Sequence, residues 1–114
     1  MASSEKAMTD LNVDFGNETD EVAEVILSKS EMQKKKTLKD IKFSDYKGSI
    51  EKIHTETYVG IRVTIKDELY GYDIPIPEGQ KIYADKTVVQ PKKDEIQVKI
   101  FKETKFSLKK AMMS

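Results

Sequence analysis

Residues 57–65, TYVGIRVTI, alternate without a break. Thr57, Val59, Ile61, Val63 and Ile65 fall on one side of an extended chain, and Tyr58, Gly60, Arg62 and Thr64 on the other. All five residues on the first side are β-branched. A helix would scatter them around its surface, whereas a strand gathers them on one buried face. The segment is therefore read as a half-buried strand, and its neighbours are tested first against a period of two.

They follow it. Lys66-Asp67-Glu68 supplies a turn, and Leu69–Ile76 returns with Tyr70, Tyr72, Ile74 and Ile76 on one face. The pair reads as a hairpin with a loop of about 3–5 residues. Pro75 and Pro77 remove ladder donors, which places Ile74–Ile76 at an edge or a strand end. Glu95–Phe101 turns Ile96, Val98 and Ile100 inward, and Pro91-Lys92-Lys93-Asp94 joins it to a strand at Thr87–Gln90. Ile50–His54 and Lys81–Ala84 are short strand candidates. Thr37–Phe43 carries Leu38, Ile41 and Phe43, and Thr104–Leu108 is read as the last strand. Turn signals this closely spaced predict a mainly β fold over residues 37–110, a small five- to seven-stranded barrel or sandwich of about the size of OB or SH3-like domains.

The residues before this body read differently. Residues 1–18 have scattered apolar side chains with no clear period and are expected to form a disordered acidic arm. Residues 19–36 are expected to form a short amphipathic helix or docking segment. Thr19 or Asn17 would cap it, Asp20, Glu21 and Glu24 would sit in its early turns, and Lys34, Lys35 and Lys36 at its far end, as the helix dipole favours. Val22, Val25, Ile26 and Met32 fall near helical spacing. Residues 111–114 are expected to be loose.

Composition removes several function classes. The chain of 114 residues has no cysteine and one histidine. Thiolate nucleophiles, disulfides, cysteine metal sites and two-imidazole sites are therefore excluded within one chain. There is no phosphate-cradling glycine loop, no G-x-S-x-G and no H-E-x-x-H. No cofactor is expected, and catalysis is not. His54 beside Glu51 and Glu56 suggests at most a strand-end residue. No apolar run approaches the roughly 20 residues of a membrane helix, and the N-terminus lacks a signal-peptide pattern. A cytoplasmic protein with no membrane role is the expectation.

The net charge of zero averages two unlike parts. Residues 1–31 hold eight acids and two bases, a net of −6, and the rest of the chain carries +6. Such asymmetry concerns partners rather than fold. Two kinds of partner follow. The first is another protein, met by an adaptor through Val22, Val25, Ile26 and Leu27 and through the tyrosine strand at Tyr70 and Tyr72. Those tyrosines could equally be core, since Ile74 and Ile76 share their face. The second is single-stranded nucleic acid, met by Tyr58, Arg62, Lys66, Lys99, Phe101, Lys102 and Lys105. On that reading the bases neutralise phosphate and the rings offer stacking platforms. The same lysines on a solvated strand face would also keep the protein soluble and protect an edge. The expected function is a non-enzymatic protein-interaction module, with nucleic-acid binding as the alternative.

Overall fold

The computed structural model describes residues 8–35 and 38–113. Residues 1–7 of the proposed arm, Lys36, Thr37 and Ser114 lie outside the described residues. Within them the chain is mainly β and forms two four-stranded sheets. The first sheet has the order β1-β6-β5-β4, from Thr9–Asp10 (β1), Glu68–Pro75 (β6), Tyr58–Ile65 (β5) and Ile50–His54 (β4). The second has the order β2-β3-β8-β7, from Asn12–Glu18 (β2), Val22–Ser28 (β3), Glu95–Phe101 (β8) and Val88–Pro91 (β7).

The period-two reading locates the body strands. Val59, Ile61, Val63 and Ile65 are all buried, and so are Ile96, Val98 and Ile100. They belong to one hydrophobic cluster that draws on both sheets, with Phe43, Leu38 and Leu108 added from the connecting segments. The two sheets remain separate ladders and do not close into a barrel. Tyr70 and Ile74 are buried and Tyr72 and Ile76 pack against the cluster, so the tyrosine face is core. The β5–β6 loop is tighter than the sequence suggests. Ile65 pairs with Glu68, leaving Lys66 and Asp67 as a two-residue turn. Both have positive φ, 52° and 67°, as the I′ class of hairpin turn requires.

The N-terminal expectations are overturned. From Thr9 to Glu18 the supposed arm is extended and paired. β1 runs parallel to β6, Leu11 N–H donates to the Gly71 carbonyl, and β2 then pairs antiparallel with β3 in the other sheet. The segment expected as one helix over 19–36 instead holds strand β3, which lies between β2 and β8, and is helical only at Glu31–Lys35. Ala23, Val25 and Leu27 point inward and are buried. Val22 and Ile26 are apolar on the opposite face, and this second set of apolar residues gives a false helical spacing with Val25.

The capping chemistry at Thr19 is present but serves a turn. Thr19 Oγ1 accepts from the N–H groups of Glu21 (3.2 Å) and Val22 (3.1 Å), and Thr19 N–H donates to the Val22 carbonyl. Hydroxyls support β2–β3-type turns by the same bonds that cap helices. A true capping box sits further on. Ser30 N–H donates to Gln33 Oε1 and Gln33 N–H to Ser30 Oγ, opening helix α1 (Glu31–Lys35). Leu27→Ala discriminates the two accounts. As a core residue of β3 it is expected to cost about 2–5 kcal/mol in denaturant unfolding, whereas a docking residue on a surface helix would leave stability nearly unchanged.

The C-terminal expectations change as well. Lys81–Ala84 shrinks to a single bridge, Ile82 to Lys102, followed by a 3-10 turn at Ala84–Lys86. Thr104–Leu108 is not a strand, and residues 111–113 are not loose: helix α2 (Leu108–Met113) ends the described chain. Its start is fixed by side chains, since Leu108 and Lys109 N–H donate to Glu18 and Lys110 N–H to Ser107 Oγ. Leu108 is buried and Met112 packs on the core. Among the described residues no helix is long and apolar enough to cross a membrane.

Candidate functional site

Registered neighbours in a sheet share a face, so the pairings of β3 and β8 define what the second sheet shows outward. Val22 lies opposite Phe101, Glu24 opposite Lys99, Ile26 opposite Gln97 and Ser28 opposite Glu95. β7 extends the rows with Val88 beside Lys99 and Gln90 beside Gln97, and β2 adds Asp14 beside Ile26. The alternate residues of β3 and β8 are core, so this set faces out. Val22, Ile26 and Phe101 are half-buried, and Val88 is 38% exposed. Beyond β7's end the Tyr83 N–H donates to the Phe101 carbonyl, which holds the Tyr83 ring, 40% exposed, at the margin of this face. Lys86 Nζ lies 4.5 Å from that ring's centroid.

Two separate groups of candidates therefore meet on one surface. Val22 and Ile26 came from the expected docking segment, and Lys99 and Phe101 from the expected basic face. Their electrostatic setting differs from a phosphate site. Lys99 faces Glu24 directly across the ladder, and Asp14 and Glu95 lie on the same face. Gln97 Nε2 donates to Glu95 Oε2 at 3.0 Å. Three carboxylates against Lys99, with Lys86 only at the margin beside Tyr83, repel a polyanion rather than attract it. Glu24 also closes over the β2 backbone: a Cβ at Gly16 would lie 2.7 Å from its Oε1, beside the β2 irregularity between Phe15 and Glu18.

The remaining candidates are dispersed. Val25, Leu27 and Tyr70 are buried in the core and are unavailable to a partner; Tyr70 Oη donates to Glu68 Oε2 at 2.6 Å. Tyr72 packs against the same cluster. Tyr58 and Arg62 lie on the outer face of the other sheet, and Arg62 Nη2 is 2.6 Å from Asp73 Oδ1. A Cβ at Gly60 would lie 3.0 Å from both partners, so the absent side chain makes room for this ion pair. Lys66 is held in the hairpin turn. Lys105 is exposed on the loop before α2. The seven residues expected to form one basic, ring-studded face do not form one.

Lys102 is the clearest correction. Its side chain is 1% exposed, and Nζ donates to the carbonyls of Thr19 and Phe106, each at 2.6 Å, and meets Glu18 Oε2 at 2.8 Å. It is an internal cross-link rather than a phosphate contact. Glu18 in turn accepts from Ser107 Oγ and the N–H groups of Leu108 and Lys109. Burial works to raise the Glu18 pKa. The Lys102 hydrogen bond, the two backbone donors and the Lys102 charge outweigh it, and the carboxyl sits below its ordinary value.

His54 is exposed and lines a cleft of about 470 Å³ with Thr55, Glu56, Ile76, Gln80 and Lys81 among its walls. Among the described residues no three His, Asp or Glu side chains come together as metal ligands. Val88, Glu24 and Tyr83 are the site residues that sequence reasoning missed. Val88 was legible as the outward residue of an alternating strand. Glu24 and Tyr83 join the face through long-range pairing and had no local signal. No protein-family model matches the chain, and no curated protein matches it.

Proposed function

We propose that this chain is a non-enzymatic protein-binding module that docks its partner on the outer face of the β2-β3-β8-β7 sheet. The two facing sheets are read here as a sandwich, which makes that outer face a rigid platform. The observation that carries the proposal is the juxtaposition of Val22 with Phe101, flanked by Ile26, Val88 and Tyr83, on a face that a solvated sheet would fill with polar side chains. The apolar residues form two rows, Val22 with Phe101 and Ile26 beside Gln97 and Asp14, with the Glu24–Lys99 pair and Val88 between them, a mixture of apolar and charged groups that suits a protein interface. The local carboxylates favour a partner whose apolar patch carries a basic rim. Nucleic acid is the weaker reading, because the residues that would serve it lie on different surfaces and the ones on this face are outnumbered by acids.

The test uses a photo-crosslinking amino acid at Val88 and, as a control, at Thr64 on the opposite sheet. Position 88 is expected to capture a protein, with or without nuclease, and position 64 is not. The pair of substitutions Ile26→Lys and Phe101→Glu is expected to abolish capture while circular dichroism shows the β fold retained. Equal capture from both positions, capture that survives the substitutions, or loss on nuclease treatment each overturns the proposal.

A further inference from the structure

The strands of the second sheet run between two unlike ends. One end carries the β2–β3 turn and α2. The other is assembled from pieces distant in sequence. Phe43 N–H donates to the Lys93 carbonyl at 3.1 Å and Ser44 N–H to the Lys92 carbonyl at 3.0 Å, tying the 3-10 segment Phe43–Ser49 to the β7–β8 turn. Lys29 fastens the same junction from below. It is buried, its Nζ donates to the Ile41 carbonyl, reaches Asp94 Oδ1 at 3.4 Å, and lies 5.6 Å from the centroid of the Phe43 ring. The result is a lysine-rich end. Lys39, Lys42, Lys47, Lys92 and Lys93 are all exposed there, and Lys34 and Lys35 of α1 enter the same segment. The carboxylates nearby are fewer: Asp40, Asp45, Asp94, Glu95 and Glu31, of which Glu31 is engaged by Lys34, Asp94 by Lys29 and Glu95 by Gln97.

A cleft of about 420 Å³ lies within this end, lined by Ser44, Lys47, Val89, Gln90, Pro91 and Lys92. One wall is β7, the outermost strand of its sheet, paired on one side only. Its other wall is the 3-10 segment. The cleft therefore offers three things together: a strand edge on which Pro91 accepts but does not donate a backbone hydrogen bond, apolar surface from Val89 and Pro91, and an ammonium group on either side.

We propose that this cleft binds an extended peptide in which acidic side chains alternate with aliphatic ones. A strand edge holds extended backbone, and alternate side chains of such a peptide fall on the two sides of the chain. One set meets Val89 and Pro91, and the other meets Lys47 and Lys92. Single-stranded nucleic acid carries the same charge but asks for exposed rings. Here Phe43 is fully buried and Tyr46 packs against the core, so bases find no platform. The site adjoins the outer sheet face at Gln90 and otherwise stands on different residues.

The test is fluorescence anisotropy with the full chain and three labelled probes: a peptide of alternating glutamate and valine, its glutamine counterpart, and an oligothymidylate of equal charge. The acidic peptide is expected to bind at least about tenfold tighter than either of the others, and to weaken severalfold between about 50 and about 300 mM salt. Lys47→Glu with Lys92→Glu is expected to weaken it by about tenfold or more, whereas Ile26→Lys with Phe101→Glu leaves it unchanged. Both lysines are exposed, and matched thermal unfolding checks that the fold persists. Amide shifts at Ser44, Val89 and Lys92 locate the bound peptide. Binding of the oligonucleotide as tightly as the peptide, retention in the double lysine variant, or no binding of the acidic peptide each overturns the proposal.

Discussion

Replacing Gly71 with alanine is expected to cost about 3 kcal/mol or more, a large fraction of an ordinary domain's stability. A Cβ built at Gly71 lies 1.8 Å from the Ile61 carbonyl oxygen and 3.1 Å from Met8 Sδ. Methionine can swing away. The Ile61 carbonyl cannot, because β5 is held between β4 and β6. The damage extends beyond the hairpin, since Asp10 pairs with Gly71 and Leu11 N–H donates to its carbonyl. Gly48→Ala is the control. Nothing lies within 4 Å of a Cβ there, so the same chemical change is expected to alter stability by no more than about 1 kcal/mol. Urea unfolding followed by circular dichroism reads both. A Gly71→Ala protein as stable as its parent would show that β5 and β6 approach one another less closely than described.

The second large effect is expected at Lys102. Lys102→Met keeps much of the side-chain volume but removes the ammonium from Glu18 and from the Thr19 and Phe106 carbonyls. Breaking a buried pair on one side costs about 3–5 kcal/mol, because the surviving charge and carbonyls lose a partner without regaining water. The pH dependence supplies a separate signature. Glu18 has a folded-state pKa below its ordinary value of 4.5. Its stabilising contribution is therefore complete above about that pH and is lost as pH falls through the depressed folded value. Lys102→Met removes the main attraction that lowers this pKa. The variant is expected to show a smaller loss of stability on acidification, measured from the same starting pH. An unchanged acid profile in a destabilised variant would mean that Glu18 owes its low pKa to the backbone donors of α2 alone.

The sequence was most readable where one face is dry and the other wet. β5 shows this, with Val59, Ile61, Val63 and Ile65 inward against Tyr58, Arg62 and Thr64. β8 does too, and the observed Glu95–Phe101 has the bounds expected of it. β3 resisted because it has apolar residues on both faces. Val22 and Ile26 outside, with Val25 and Leu27 inside, erase the contrast on which a period of two depends. The same two outward residues belong to the surface proposed for function, so the feature that hid the strand is the feature that marks the site. Lys102 misled for another reason. It keeps step with the inward Ile96, Val98 and Ile100, but a lysine reads as a solvent residue, and its burial depends on Glu18, far away in sequence. The lysine-rich cleft had half a signal in the Lys92-Lys93 turn. Its other half comes from Lys47 and Ser44, which only tertiary pairing brings beside it.

The ladder between β3 and β8 joins two strands that lie far apart in sequence. On a ribosome β4, β5 and β6 emerge consecutively, and their hairpins can close as soon as they clear the exit. β3 has no such neighbour following it. Its partner on one side is made only after β4 to β7, and until then its Val25 and Leu27 remain without the Val98 and Ile96 that lie opposite them. The nascent chain thus carries a sticky aliphatic segment until Glu95–Phe101 has been made. Truncation before Glu95 would leave that segment permanently uncovered, which makes prematurely terminated chains candidates for aggregation rather than for partial activity.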